Sequence, residues 1–591
     1  MFYTLWFIFP LLFAALPPLC TAVLVDFQVA QPPPVPQDAK QCTVQILQRD
    51  FAFSFGLYRG NRSIHTAYRL RNTRFMGCSH SELHGHQQWH PVRQARDFHL
   101  PKRRKRVVDP VVCYSTLINT AVWRSSTAEP TVSGIIWNYI KDVTRFSLLF
   151  AKPGTFILQL DNLIEAGLNG TYSTTLHATF YASSEEHPPA KQANMIIPLS
   201  TLANDTGNDA SVPPSFSINV TLPQNTVEVY AELLPSGNGD EETWYANVPD
   251  EFLATGDFSN MTLGQGPFRE VRLLVDSMVA GVAFPYPVIF TGGILPPAWR
   301  PITSYGAFDL PTYFLDLTPF VPLLTDGQPH LFTIDVASAE PDRTILQNWF
   351  VSGVLQVITD ASSKRTTGNI TSYSAEPFAQ TSTTGNISEN GDISIIVTAS
   401  RKIHITADIF SGSGEANHVV FSQNLEYVNQ QNYFDDMFVM NLFQLSSGNV
   451  LSTHNNIPAV IDTFSYPITV NMTLFNAAGT FFSAFIDHSY DRTLLPSPFI
   501  LGSTIKERQS AGGFFTIAST GNTGNGTSNN TFSYIDLAGN TFDQRVDAAF
   551  NNITLDEVSG SLSRAPDKEP PASPSDADTF AGARLPFLPG K

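Results

Sequence analysis

Apolar and polar residues alternate with a two-residue period along most of the chain, and Gly, Pro or Asn interrupts the pattern every few residues. This pattern predicts short β-strands joined by turns. In 269-REVRLLVDSMVAGVAFPYPVIF-290, apolar residues occupy alternate positions from Val271 to Val275. Asp276-Ser277 then predicts a turn, and the apolar run after it is expected to pair back as a hairpin. Helical periods are scarce, and 423-QNLEYVNQ-430 is a weak helix candidate, so the pattern predicts an all-β fold.

The predicted strands fall into three regions. We expect a first β-sandwich in residues 23–205, a second, adjoining one in residues 206–360, and a third β-rich domain in residues 361–560. A polar stretch near Ser200–Pro214 is the expected linker between the sandwiches. Residues 561–591 are rich in Pro, Ser and Asp and are expected to form a disordered tail.

The chain begins with MFYTLWFIFPLLFAALPPLC, an apolar run of signal-peptide length. Residues 1–22 are therefore expected to direct the protein to the secretory pathway, as a secreted, extracellular or vacuolar protein. The run lacks the usual early Lys or Arg, so a signal anchor is the alternative. No later segment is apolar over enough residues to span a bilayer, so we expect no stable membrane insertion after signal removal.

Asn-x-Ser/Thr sequons support this route, because N-glycans are added in the secretory pathway. The sequons lie at Asn61, Asn169, Asn204, Asn219, Asn260, Asn369, Asn386, Asn471, Asn525, Asn529 and Asn552.

Charge and cysteine content exclude some functions. The net charge of −17 repels phosphate, so nucleic acid is not an expected partner. Beyond Cys20 the chain has Cys42, Cys78 and Cys113, which permit one disulfide with one thiol left over. The protein is therefore not a disulfide-built scaffold.

The segment between Tyr58 and Val108 has a different composition from the rest of the chain. It holds 12 of the 35 Lys and Arg residues, six of the 13 His residues, only two acidic residues and almost no strand alternation. It ends in 102-KRRKR-106, which suits a dibasic processing site or a basic binding loop. The histidines at 80, 84, 86 and 90 offer a metal site, although their spacing has no structured frame. A frame error in the gene model is the further alternative.

Six stretches resemble the peptide-N-glycosidase A family, whose members are secreted amidases that release N-glycans from glycopeptides. The long block around 291-TGGILPPAWRP-301 is the most specific of them. The stretches are 49-RDFAFSFG-56, 122-VWRSSTAEPTVSGIIWNYIKDVTRF-146, 242-ETWYANVP-249, 266-GPFREVRLLVD-276, 287-PVIFTGGILPPAWRPITSYGAFDLPTYFLDLTPF-320 and 348-NWFVSGVLQVITD-360.

The resemblance implies two adjoining jelly-roll-like β-sandwiches and hydrolysis of the amide that joins GlcNAc to an Asn side chain. The expected partner is an N-glycopeptide, and the expected mechanism uses carboxylates with no metal and no cofactor. An inactive or non-catalytic carbohydrate-binding β-sandwich glycoprotein is the alternative. A Cys nucleophile is disfavoured, because the Cys residues have no helical frame or partner motif.

The acidic and aromatic stretch 239-GDEETWYANVP-249 supplies the first candidates. Glu242 is a predicted catalytic carboxylate, because the resemblance matches it to an acidic–aromatic family element and Trp244 adjoins it. Trp244 and Tyr245 are predicted to contact the sugar. The alternative is a solvated acidic turn above a buried Trp.

Two further elements carry candidates. Glu129 lies in Ser-Thr-Ala-Glu-Pro, where Pro130 favours an extended chain that presents the carboxylate; a surface salt bridge with Arg124 is the alternative. Arg300 is predicted to polarise the substrate amide, with Trp299 packing on the sugar and Gly292 and Gly293 allowing close backbone approach. A core Trp with a braced turn is the alternative there. Arg269 and Glu270 lie on a strand and are expected to be structural.

The chain departs from the family at one point. The family carries a Gly-x-Gln-Phe-Asp-Arg-like motif before Ser-Thr-Ala-Glu-Pro, and this position falls inside Tyr58–Val108, where no such motif can be found. The remnant 93-RQARDF-98 makes Asp97 a possible substitute. If nothing substitutes, the chain as written is expected to be inactive.

Overall fold

The computed structural model describes residues 24–35, 39–54, 83–92, 111–115, 120–127, 134–151, 156–160, 162, 164, 170–185, 188–201, 209–256, 258, 262–495, 499, 502–519 and 521–563. Within these residues the chain forms 28 strands in five sheets and three short α-helices. The predicted all-β fold is confirmed. The helices are α1 (Ser147–Phe150), α2 (Asp250–Thr255) and α3 (Val321–Leu324).

Two sheets occupy the N-terminal part of the described chain. The strands of the first, in the order β1-β6-β3-β8-β2, are β1 (Val25–Asp26), β6 (Ile135–Asp142), β3 (Leu83–Val92), β8 (Thr171–Tyr181) and β2 (Gln41–Phe51). The strands of the second, in the order β5-β4-β7, are β5 (Thr120–Ser125), β4 (Val111–Ser115) and β7 (Phe156–Gln159). A core cluster containing Trp123, Trp137 and Leu176 joins the two sheets.

Two more sheets form the next part. One contains β9 (Met195–Leu199), β10 (Ala210–Val212), β12 (Thr226–Gly237), β15 (Tyr313–Asp316) and β17 (Trp349–Thr359). The other contains β11 (Phe216–Val220), β13 (Glu270–Val275), β14 (Met278–Ala283) and β16 (His330–Ala337). The predicted hairpin is confirmed, because β13 and β14 pair antiparallel around Asp276 and Ser277, whose φ angles are 48° and 69°.

The last sheet has 11 long strands in almost strict chain order, and we call it the large sheet. Its strands are β18 (Thr367–Ala375), β19 (Gln380–Ile387), β20 (Ile393–Phe410), β21 (Ala416–Phe434), β22 (Val439–His454), β23 (Ile457–Leu474), β24 (Phe481–Leu495), β25 (Ser503–Thr516), β26 (Thr523–Asp536), β27 (Thr541–Ala549) and β28 (Asn552–Ser559).

The large sheet corrects one prediction. The weak helix candidate 423-QNLEYVNQ-430 lies inside β21, where buried and exposed residues alternate at every step. Leu425, Tyr427 and Asn429 face the core, which is the two-residue period of a strand. Pairing with β20 and β22 along the whole length of the strand determines its conformation, so a helix prediction from these eight residues was wrong.

One face of the large sheet packs on the preceding two sheets, and the other is exposed. The principal core cluster runs without a break from Val271 and Leu273 of β13 to Ile405 and Phe421 of the large sheet. The outer face carries exposed aromatic residues, among them Phe443, Phe485 and Phe514.

Several predictions fall on residues that the structure does not describe. They concern the signal peptide, residues 202–208 of the expected linker, most of the basic segment, Cys78, and the tail from residue 564 onward. Within the basic segment, Leu83–Val92 forms β3, a strand that the sequence pattern did not predict; its backbone pairs with both β6 and β8. Cys42 is a free cysteine. No helix among the described residues is long and apolar enough to cross a membrane.

Candidate functional site

The acidic and aromatic stretch folds into two short turns of 3-10 helix, Gly239–Glu241 and Trp244–Ala246. The first turn directs Glu241 into the protein, where it is completely buried. Arg269 contacts both carboxylate oxygens of Glu241, at 2.5 and 2.7 Å. The Trp349 indole and the backbone amide of Leu346 donate to the same carboxylate, each at 2.8 Å. Glu241 is therefore a fully bonded structural carboxylate.

Glu242 lies one residue further on and is only partly buried. Burial, followed by the negative charge of Glu242, raises the pKa of the Tyr245 hydroxyl. That hydroxyl and the side-chain amide nitrogen of Asn247 are buried and have no hydrogen-bond partner among the described residues. Buried donors of this kind are expensive to leave unpaired, so they mark a place where a ligand acceptor would be stabilised.

The two aromatic side chains of this stretch belong to the core. Trp244 is 3% exposed and Tyr245 is 1% exposed, and their rings pack edge to face at 5.8 Å. Trp349 packs on the other side of Trp244 at 6.0 Å. In this conformation the two rings support the Glu242 turn; the predicted sugar contact stays a prediction.

The loop after β14 carries the second group of candidates. Gly292 has a φ of 78°, in the left-handed region, and a Cβ on Gly293 would lie 2.9 Å from the Phe290 carbonyl oxygen. Both glycines are therefore needed for the turn itself. The Trp299 indole donates to the Gly293 carbonyl at 2.9 Å and closes the loop.

Trp299 is 1% exposed and packs against His488 of the large sheet at 5.8 Å. Burial lowers the pKa of His488 to about 4, so this imidazole is neutral above that pH. Arg300 follows Trp299 and is partly buried. The chain beyond it pairs with Gln28 near the N-terminus. Trp299 thus anchors the loop that presents Arg300.

Glu129 and Asp97 lie outside the described residues, but the entry to the Glu129 stretch is defined. The hydroxyl of Thr291 donates to the carbonyl of Thr127, two residues before Glu129. The chain that leads to Glu129 therefore starts beside the Gly292–Gly293 turn. Arg124, on the preceding strand, is buried and bonds to Asp209, so its cationic group is already occupied by that carboxylate.

One cavity of about 370 Å³ is lined by residues of the Glu242 turn and by Ile294 of the glycine loop, whereas Glu242 and Arg300 themselves are not among its lining residues. Thr243 and Tyr245 line it on one side, Ile294 lines it on another, and the large sheet closes it with Met437, Met440 and Met472. We call this the methionine cavity. Its size is typical of small-ligand sites.

The large sheet also fixes the backbone of the Glu242 turn. The side-chain amide of Asn429 donates to the Tyr245 carbonyl at 3.0 Å, and that of Gln431 donates to the Asn247 carbonyl at 2.9 Å. Tyr433 in turn donates to Gln431 at 2.7 Å. Sequence reasoning missed these contacts because the partners are 184 residues apart in the chain. The buried amides on alternate positions of β21 were the available signal.

The strand-borne pair Arg269 and Glu270 has the structural role that was expected. Arg269 donates to three backbone carbonyls in addition to Glu241. Glu270 accepts from the Ala379 amide at 3.0 Å and lies near Arg401. No group of three or more potential metal ligands occurs among the described residues.

Of the predicted glycosylation sites, seven are described. Asn219, Asn369, Asn386, Asn471, Asn525 and Asn552 are exposed, and Asn529 is partly buried and bonded to Asp547. Six of the seven, all except Asn219, lie on strands of the large sheet. Asn61, Asn169, Asn204 and Asn260 are outside the described residues.

These elements define an all-β protein in which the large sheet closes the methionine cavity. Comparison with known families identifies the protein further. Residues 111–376 match the model of peptide N-acetyl-beta-D-glucosaminyl asparaginase amidase A, and residues 394–468 match the C-terminal domain of the same family. The peptide-N4-(N-acetyl-beta-glucosaminyl)asparagine amidase A of Prunus dulcis is 30% identical over 473 residues, which cover 75% of this chain and 78% of that protein. The chain belongs to the peptide-N-glycosidase A family.

A solved structure of a peptide-N(4)-(N-acetyl-beta-D-glucosaminyl) asparagine amidase also matches. It is 14% identical, with a TM-score of 0.35, and the match covers 54% of this chain and 97% of that chain. The likeness is too low to transfer any detail.

Proposed function

We propose that the protein is a glycoamidase that hydrolyses the amide between GlcNAc and the Asn side chain of N-glycopeptides. The reaction releases the glycan and converts Asn to Asp. Membership of the peptide-N-glycosidase A family across most of the chain is the observation that supports this function. A second observation is that the methionine cavity is lined by Thr243 and Tyr245, which follow Glu242 in the chain, and by Ile294 of the glycine loop.

The proposed chemistry assigns one role to each candidate. Glu242 orients a water molecule and accepts its proton while the water oxygen attacks the amide carbon. Arg300 stabilises the negative charge on the carbonyl oxygen, and Glu129 donates a proton to the departing glycosylamine nitrogen. The mechanism needs no metal or cofactor.

The buried rings have a supporting role in this mechanism. Trp244 and Tyr245 hold the Glu242 turn, and Trp299 holds the glycine loop through the Gly293 carbonyl. The unpaired donors of Tyr245 and Asn247 are available for an acceptor on the substrate. A cleft whose polar groups are fixed before binding loses little free energy to reorganisation.

We also propose a secreted or vacuolar location. The apolar leader, the acidic composition and the exposed sequons support it. Under this proposal Asn219, Asn369, Asn386, Asn471, Asn525 and Asn552 carry N-glycans.

The function is tested with the full chain and a short N-glycopeptide, by mass spectrometry of the free glycan and of the Asp-containing peptide. Glu242→Gln is expected to lower the rate by about 10² to 10⁴-fold, the usual contribution of one acid–base group. The adjacent Asp240→Asn is the matched control and should keep the rate. An unchanged rate in Glu242→Gln would remove Glu242 from the mechanism. Absence of glycan release both by the parent chain and by a chain that carries a Phe-Asp-Arg strand in place of Tyr58–Val108 would contradict the function.

A second preparation tests whether the basic segment Tyr58–Val108 prevents activity in the chain as written. A chain in which Tyr58–Val108 is replaced by a segment with a Phe-Asp-Arg strand should be active if the basic segment is the cause of inactivity. If both chains release glycan at the same rate, Asp97 or another carboxylate supplies the missing group.

A further inference from the structure

A second cavity, of about 270 Å³, lies away from the Glu242 turn, where β6, the 303–312 loop and the large sheet meet. We call it the tyrosine cavity. Four tyrosines line it from these three elements: Tyr139, Tyr305, Tyr490 and Tyr534. Pro32–Pro34 form a further wall, and Gln31 ties that segment to β6 by bonds to Asn138 and Ile140.

The aromatic walls are held in place by neighbouring rings. Trp123 stacks on Tyr139, with ring centres 5.6 Å apart and planes 10° apart. Tyr305 packs against Tyr490 at 5.0 Å and against Phe532 at 6.2 Å, and Tyr305 itself is only partly buried. An aromatic ring on a rigid support is suited to an apolar C–H surface, and the tyrosine hydroxyls supply polar edges.

Polar groups converge on the same space. Tyr139 donates to Asp309 at 2.8 Å, and Lys141 forms an ion pair with the same carboxylate. The Asp309 side chain is 30% exposed, so its remaining lone pairs are accessible. Ser304 also lines the cavity, and its hydroxyl is buried without a hydrogen-bond partner among the described residues.

The charges in the cavity favour an uncharged ligand. Arg145 pairs with Glu232 at 2.7 and 2.8 Å, and Arg492 pairs with Asp462 at 2.7 and 2.9 Å. Lys141 is paired with Asp309. Among the described residues that line the cavity, each cation therefore has its own carboxylate, and none is left for a phosphate or a carboxylated ligand.

We propose that the tyrosine cavity binds one neutral sugar unit, a hexose or an N-acetylhexosamine. Such a unit presents a C–H face to Tyr305 and hydroxyls to Asp309, Lys141 and Ser304. The identification of this sugar as part of the substrate glycan rests on the proposed function.

The test is a calorimetric titration of the full chain with the free N-glycan core of mannose and GlcNAc, which carries no Asn and cannot be hydrolysed. Saturable binding is expected, and Asp309→Asn and Tyr305→Ala should each weaken it at least about tenfold. The matched controls lie outside the cavity. Asp335→Asn removes a carboxylate paired with Arg272, and Tyr373→Ala removes a partly exposed tyrosine on β18; both should leave the Kd unchanged.

Three outcomes would overturn the site: no saturable binding, equal binding by all four variants, or tighter binding of inorganic phosphate or a sialylated sugar than of the neutral core. If Tyr305→Ala does not fold, the Kd of Asp309→Asn alone decides whether the tyrosine cavity binds the sugar.

A kinetic measurement separates this site from the catalytic proposal. Asp309→Asn should raise the KM for a peptide with the complete glycan core and leave that for a peptide with a single GlcNAc unchanged. Saturable binding of the free core, together with no hydrolysis of an N-glycopeptide by either preparation, would contradict the proposed function and retain the site.

Discussion

Two adjacent carboxylates, Glu241 and Glu242, have opposite environments. The 3-10 turn directs Glu241 to Arg269, Trp349 and the Leu346 amide, whereas Glu242 stays partly accessible. The sequence identified the acidic cluster but not this division, since Arg269 lies 28 residues away and Trp349 lies 108 residues away. The resemblance predicted Glu242 as the candidate; the folded chain adds that Glu241 is held in structural contacts.

Glu241→Gln is expected to destabilise the protein by about 3–5 kcal/mol, because it leaves the Arg269 charge buried without its counter-charge. Glu242→Gln should cost less than Glu241→Gln, because Glu242 is only partly buried. Urea unfolding followed by tryptophan fluorescence measures both. Equal stability losses in the two variants would show that Glu242 is also structural.

The family resemblance covers Tyr305 and Asp309 but does not assign a role to either residue. Both lie in the stretch that carries the family resemblance, yet no spacing in the sequence joins them to Tyr490 and Tyr534. The tyrosine cavity therefore required the folded chain, in which the large sheet brings its strands to the 303–312 loop.

At the level of single elements, β21 of the large sheet supports the Glu242 turn. Asn429 and Gln431 donate to backbone carbonyls of that turn, and Gln423 on the same strand makes the same kind of contact to β14, with Val282. A strand with amides at alternate buried positions thus replaces part of an apolar core with directed hydrogen bonds. Such bonds fix position more narrowly than apolar packing does.

Asn429→Ala and Gln431→Ala should each cost about 1–3 kcal/mol of stability, because a buried carbonyl loses its donor. If these residues position the Glu242 turn, each variant should also lower kcat at least about tenfold, since small displacements of catalytic groups have large effects. Gln423→Ala is the control.

Gln423→Ala loses two bonds to Val282 of β14, in the neighbouring four-stranded sheet, but leaves the Glu242 turn untouched. Its stability should fall as much, and its kcat should stay unchanged. If kcat falls equally in all three variants, the cause is a general loosening of the contact between the large sheet and the preceding sheets, and not a displacement of the Glu242 turn.

The alternation of apolar and polar residues predicted the strands better than it predicted the contacts of the candidate site. The alternation and the Asp276-Ser277 turn were sufficient for the β13–β14 hairpin, because period and turn chemistry are local. The helix candidate in β21 failed because long-range pairing overrode a local pattern. The β3 strand was missed because its backbone bonds to β6 and β8 do not depend on side-chain alternation. The two glycines form a turn, and the close approach to a ligand stays a prediction; the attachment of this loop to Thr127 and His488 depends on contacts across the fold.

At the level of the whole molecule, the large sheet and the preceding sheets share one core. The cluster that contains Val271 and Leu273 continues into Ile405 and Phe421, so each part covers apolar surface of the other. A chain ending at residue 360 is therefore expected to aggregate or to lack a cooperative melting transition. Size-exclusion chromatography and calorimetry of this truncation, beside the full chain, provide the measurement. A monomeric truncation with a sharp transition would show that the sheets fold independently.

Stability is expected to be greatest on the acid side of neutrality. Burial raises the pKa of Glu507 well above the usual 4.5, so its contribution is present below 4.5 and is lost as pH rises through the folded value. Burial alone would lower the pKa of His454, but Asp316 raises it above 6.5, so this contribution is also lost as pH rises. Despite its burial, Asp316 has a pKa held below 3.8 by His454, and its contribution is lost as pH falls through that lowered value. Burial lowers the pKa of His488 to about 4, so its contribution is present above the usual 6.5 and is lost as pH falls toward 4. The maximum should therefore lie between about pH 5 and 7.

The melting temperature across pH 3 to 9 checks this window, and Glu507→Gln provides the control. This variant has no titrating group at that position, so its Tm should fall less between pH 5 and pH 8 than that of the parent chain. Identical pH profiles for the two proteins would show that Glu507 does not contribute.

The position of Asn471 has a consequence for the protein's own modification. This sequon lies within β23, and its backbone pairs with Asn441 on one side and Phe485 on the other. A glycoamidase must draw the linkage amide into its cleft, which a residue fixed in the middle of a sheet does not allow without local unfolding. Any glycan attached there would therefore be protected from removal by the protein's own activity.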